Sequence, residues 1–94
     1  MPNPTFEWDV NKDIENQDKH GVSFAKSTQA FEDPLRLIIS DKKHSTASER
    51  RFFCIGKVGR RVLTVRFTYR DGAIRIFGAG YWREGKERYE AERG

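Results

Sequence analysis

The stretch RVLTVRFTYRDGAIRIFGA at residues 61 to 79 restricts this chain more than any other. Two runs rich in β-branched and aromatic residues flank Asp71-Gly72, and such a pair between alternating runs is a strong signal for a two-residue hairpin turn. The turn then fixes a register. It sets Tyr69 opposite Ile74, Phe67 opposite Ile76 and Val65 opposite Gly78 on one face, leaving Thr64, Arg66, Thr68, Arg75 and Phe77 on the other. The first face is the predicted core. The second carries two guanidiniums among hydroxyls and one ring, which suits an anion.

The rest of the chain extends that hairpin. Thr5 to Asp9 reads as a short strand alternating Phe6 and Trp8, which favours burial of Trp8, and Asp9 then caps a helix running to about Lys19 and closed by Gly21. Ser23 caps a second helix, with Phe24, Ser27, Thr28 and Phe31 at helical spacing, until Asp33-Pro34 ends it. Leu35 to Asp41 is a strand, Lys42 to Ser48 a polar loop without an apolar anchor, and Arg50 to Lys57 the strand that leads through Gly59 into the hairpin. From Trp82 or Arg83 the tail reads as a solvated helix, against which Gly85 counts. The expectation is a single α+β domain over residues 1–94: an antiparallel sheet of about four strands plus a short N-terminal strand, two N-terminal helices and a C-terminal helix.

Charge separates along the chain. Residues 1 to 41 hold four Lys/Arg against eight Asp/Glu, and residues 42 to 94 hold fourteen against six. The basic half suits a polyanion, or an acidic protein partner. Leu37-Ile38-Ile39 is the longest aliphatic run and the first ten residues show no signal pattern, so a cytoplasmic protein without a membrane span is expected. A lone cysteine, Cys54, and two histidines offer neither a disulfide nor zinc-like spacing, so no metal and no cofactor are expected.

Arginine on a rigid sheet stabilises charge on phosphate through paired hydrogen bonds, which makes Arg50, Arg66 and Arg75 candidates for that task. Exposed strands also carry arginine for solubility and edge protection. His20 has two open roles, proton transfer near neutral pH and, with Lys19, a favourable charge at a helix C-terminus. His44 lies in a basic loop beside Lys42 and Lys43. Glu49 and Arg50 are placed to pair with each other. Trp8 and Tyr81 are rings on which unpaired bases could stack.

FEWD at residues 6–9, Lys12, KHGVSF at 19–24, FEDP at 31–34, His44, Glu49-Arg50, Ile55-Gly56 and IRI at 74–76 occur here in an order and spacing that resembles the BrnT toxin family. The resemblance implies a RelE-like ribonuclease toxin of a type II toxin-antitoxin pair, cleaving RNA without metal. It also implies a BrnA-type antitoxin partner, and operator DNA contacted only through the complex with it. One departure stands out. Many members continue after the IRI strand with Ser-Ala-Arg, and the family's arginine position is Gly80 here. Tyr81 and Arg83 are the nearest groups able to supply a phenol and a charge. The candidate catalytic set is therefore His20, Arg50, Arg75, Tyr81 and Arg83, and the candidate substrate-binding set is Lys19, His44, Arg51, Lys57 and Arg66. A catalytically silent antitoxin-binding module is the alternative.

Overall fold

Asp9 separates β1 (Phe6–Trp8) from α1 (Val10–His20), its carboxylate accepting from the backbone N–H of Asn11 at 2.7 Å and of Lys12 at 3.2 Å. Gly21, at φ 69°, closes that helix in the left-handed conformation open to glycine. The Ser23 hydroxyl accepts from Lys26 N–H and starts α2 (Phe24–Ser27), which tightens into a 3₁₀ turn over Thr28–Glu32 instead of continuing as one helix. The hydroxyls of Ser27 and Thr28 donate to the carbonyls of Phe24 and Ala25, a local competition that disfavours regular helix. The computed structural model describes residues 4–93.

The strands β2 (Leu37–Ser40), β3 (Arg51–Val58), β4 (Arg61–Arg70) and β5 (Ala73–Gly80) form the expected antiparallel meander. Asp71 and Gly72 both take positive φ, as a hairpin turn of this length favours. The sheet is not wholly antiparallel. β1 lies parallel to β5, with Phe6 opposite Ile74 and Trp8 opposite Ile76, giving a five-stranded mixed sheet in the order β1-β5-β4-β3-β2. First and last strands meet only in three dimensions, so no local turn signal announced their direction.

The hairpin register holds at Tyr69/Ile74 and Phe67/Ile76 and then shifts. A bulge inserts Phe77, so Arg66 faces Gly78, and Val65 faces Ala79 in place of the expected Gly78. Ala79 thereby enters the main core with Phe24, Leu63, Val65, Phe67 and Ile76, between the first sheet face and the N-terminal helices. Trp8, expected to be buried, packs edge-on against Phe24 and is partly buried. Beyond the end of β1, the side-chain amide of Asn16 completes the free edge of β5. It donates to the Ala79 carbonyl at 2.9 Å and accepts from Ala79 N–H at 3.1 Å.

The other face is half covered. α3 (Arg83–Ala91) buries Tyr89 against Ile55 and Val62, so the C-terminal helix is a packed element and not the solvated tail anticipated. Gly85 allows this contact, because a Cβ there would run into the Thr64 hydroxyl. Asp33 ties the helix down. Its carboxylate accepts from Tyr89 Oη at 2.6 Å, Lys57 N–H at 2.8 Å and Leu35 N–H at 2.9 Å, joining α3, β3 and the turn before β2. Partial burial pushes this carboxyl up, but the bonds from Lys57, Tyr89 and Leu35 outweigh it and leave the group below its ordinary value.

Two outcomes follow from α3. Since the Asp33 pKa is lower folded than unfolded, its contribution is present above about pH 4 and disappears as pH falls through the folded value. Asp33→Asn is expected to lower stability near neutral pH by about 1–2 kcal/mol, with the gap to wild type closing under acid in urea titrations. Gly85→Ala should lower Tm even though alanine gains about 1 kcal/mol of helix propensity, because overpacking against Thr64 costs about 1–3 kcal/mol. A raised Tm would contradict the close approach.

Candidate functional site

The face left open by α3 is organised by strand register. Arg51, Thr68 and Arg75 lie side by side on β3, β4 and β5, and Glu7 of β1 completes the row. Neighbouring strands are about 4.8 Å apart, so Arg51 and Arg75 start from backbones about 10 Å apart. Arg66 stands two residues along β4, opposite Phe53 and Gly78. The bulge turns the Phe77 ring onto this face, where the Arg51 guanidinium lies 4.5 Å and that of Arg66 5.3 Å from its centroid. Two cations thus share one aromatic platform.

Their states differ. Arg51 Nε donates to Glu49 at 2.7 Å, Arg70 reaches the other oxygen of that carboxylate at 3.5 Å, and Arg75 pairs with Glu7 at 3.4 Å. The Arg51 hydrogen bond holds the Glu49 carboxyl below its usual range. Among the described residues Arg66 has no carboxylate partner. Its donors remain available to an incoming anion. Arg50, expected to share this face and to pair with Glu49, stands exposed one residue before β3, and its carbonyl accepts from the Thr68 hydroxyl at 2.7 Å. Strand alternation from Arg51 turns its side chain the other way. Glu49-Arg50-Arg51 does not show in sequence which arginine begins the ladder.

Beside this row a hollow of about 320 Å³ runs between the sheet and α3. Ile39, Phe53, Ile55 and Thr64 form its floor, Trp82, Gly85 and Arg88 its wall, and Lys42 and Lys43 its rim. Asp41, 5% exposed, also lines it and binds His44 Nδ1 at 2.9 Å. That contact leaves Nε2 of the half-exposed imidazole to act. The loop is wired to the arginine row, for Asp41 N–H donates to the Arg51 carbonyl and Arg51 N–H to the Ser45 hydroxyl, both at 2.8 Å. The loop, which has no apolar anchor, is held instead by polar bonds, which hydrophobic patterning does not reveal.

His20 sits elsewhere. Exposed at the end of α1 next to Lys19, it meets Trp82 edge-on with ring centroids 5.2 Å apart. Trp82 in turn lies across bare backbone at Gly80, where a Cβ would come within 2.5 Å of the indole. Tyr81, Arg83 and Lys57 are not with the arginine row, but line a second, cationic hollow on the far flank of α3. Cys54 is shut in the core and burial pushes its thiol up to about 12, so it serves as packing and not as a nucleophile. Among the described residues no three His, Cys, Asp or Glu side chains gather as metal ligands, and no helix is long and apolar enough to cross a membrane.

Residues 8–86, which include β2 to β5 and the start of α3, match the family described as ribonuclease toxin, BrnT, of type II toxin-antitoxin system. The chain belongs to the BrnT family. No curated protein matches it in sequence. Membership supports a ribonuclease toxin with an antitoxin partner. On that face this BrnT chain has an indole where the resemblance places an arginine.

The Trp82 placement can be tested. In a Trp8→Phe background, Gly80→Ala is expected to lift the indole off the strand, moving its fluorescence to the red and removing the ring-current shift of the His20 imidazole in NMR. Unchanged spectra would mean that Trp82 does not lie on Gly80.

Proposed function

We propose that this protein is an endoribonuclease toxin of RelE-like type that cleaves single-stranded RNA in the cytoplasm without a metal ion and is silenced by a BrnA-type antitoxin covering its basic face. The Arg66 guanidinium, without a carboxylate partner among the described residues and set beside Arg51 on the Phe77 platform one strand from Arg75, carries this reading. A phosphodiester above the platform would receive donors from Arg66 directly and from Arg51 and Arg75 as their carboxylates yield. The ribose 2′-hydroxyl attacks phosphorus, the bond to the 5′-oxygen breaks, and the products are a 2′,3′-cyclic phosphate and a 5′-hydroxyl. Arginine offsets the added negative charge in the transition state. His44, oriented by Asp41 beside Arg51, is the proton-transfer group nearest the row, and His20 at Trp82 is the second. The role first given to Arg50 passes to Arg51, while Lys42, Lys43 and Trp82 hold the strand through phosphate and base contacts. Tyr81, Arg83 and Lys57 act away from the reacting phosphate, and Lys19 adds charge near His20. Operator DNA is met only through the antitoxin complex.

The indole at Gly80 and the ion pairs of Arg51 and Arg75 favour a second reading, a module that keeps the antitoxin but has lost cleavage. Digestion of RNA by purified protein in EDTA decides between them. The nuclease reading expects cleavage, reduced about a hundredfold by Arg66→Gln with the fold retained, in line with the loss of one transition-state donor. Intact RNA at high protein concentration, with antitoxin still bound, would establish the module.

A further inference from the structure

The hollow on the far flank of α3 is not used by the chemistry above. It measures about 500 Å³ and is lined by Lys57, Arg60, Arg61, Arg83 and Lys86 against the single carboxylate of Glu90. These cations come from two separate parts of the fold, the tip of the β3–β4 hairpin, with Lys57 in β3, Arg60 in the turn and Arg61 in β4, and the first half of α3. Among the described residues none of the five is in an ion pair, whereas Arg51, Arg70 and Arg75 are all met by carboxylates. A concave group of unneutralised cations raises its own energy by mutual repulsion, and a polyanion relieves that cost. Arg61 is also preorganised. Its guanidinium carbon lies 3.6 Å from the centre of the Tyr81 ring, a contact that restrains the side chain at the hollow.

We propose that this hollow is a second phosphate-binding site, which grips the RNA strand away from the face where it is cut. The inference rests on the reading of RNA as the substrate. Two observations favour a nucleic-acid backbone over an acidic peptide. Consecutive residues serve the two hollows, Trp82 one and Tyr81 the other, so a single chain turn supplies an aromatic surface to each. Along α3, Glu84, Gly85 and Arg88 border the first hollow and Arg83, Lys86 and Glu90 the second, which places them on opposite flanks of one helix. That separation is about 10 Å, a span that an extended strand bridges over the helix N-terminus. The strand's evenly spaced charges then meet cations at both ends of the path.

Binding, not cleavage, is the readout. A 2′-O-methyl oligouridine, which has no free 2′-hydroxyl to attack, is titrated by fluorescence anisotropy across a salt series. In Arg60→Gln/Arg61→Gln/Lys86→Gln the slope of log K against log salt is expected to fall by about 2, as loss of three phosphate contacts to a single strand requires. Affinity for purified antitoxin should not change. Circular dichroism checks the fold, and Arg60→Gln alone, at an exposed turn position, carries the test with an expected loss of about 0.7 in slope if the triple variant does not fold. An unchanged slope in a folded variant overturns the proposal, as does lost antitoxin affinity with RNA binding intact, which would assign the hollow to an acidic protein segment. A protein that binds the oligonucleotide through these residues yet cuts no RNA would reject the nuclease and keep the site.

Discussion

The central strand β4 is the piece on which both faces of the molecule depend, since it is hydrogen-bonded along its length to β3 on one side and β5 on the other. Its residues divide by parity. Leu63, Val65 and Phe67 close the main core, while Thr64, Arg66 and Thr68 look the other way. A slip of one residue would bury the Arg66 guanidinium and expose three large apolar side chains, an exchange whose cost is comparable to the whole stability of a domain this small. The same constraint that holds the fold therefore fixes which arginines share a surface.

Within that frame, one irregularity shapes the site. The bulge at Phe77 adds a residue to β5, which sends Ala79 into the core and lays the Phe77 ring beneath Arg51 and Arg66. It also leaves Gly78 opposite Arg66, where a Cβ would press on the arginine stem at 3.2 Å. Space for the guanidinium is made by what β5 lacks. Beyond the bulge, Gly80 does the same for Trp82, and Gly85 does it for the seat of α3 on Thr64. Small residues at three consecutive contacts let large ones lie flat on the sheet, and this is how a short chain builds two hollows around one helix.

Electrostatics then sets the cations apart. Arg51 and Arg75 stand in carboxylate pairs that hold their geometry while limiting their availability, and Arg66 has no carboxylate partner among the described residues. Half-exposed pairs of this kind contribute little to stability, so a phosphate can displace the carboxylates at modest cost. The buried Asp41 under His44 is another matter, because a carboxylate removed from water needs its partner and keeps the imidazole in one orientation.

The sequence by itself determined the elements and the chemistry at hand. Asp9, Gly21, Ser23 and Asp71-Gly72 act through bonds or dihedrals within a few residues, so their effects are legible without a fold, and the ordered motifs from FEWD to IRI carry the family. Tertiary structure decided which groups meet. The parallel seat of β1, the substitution of Arg51 for Arg50 in the arginine row, the packing of α3 through Tyr89 and Asp33, and the division of Tyr81 from Trp82 all depend on contacts between residues distant in the chain. Local propensity is a property of neighbours along the backbone. A site is a property of neighbours across it, and here one inserted residue in β5 and three missing side chains were enough to set its shape.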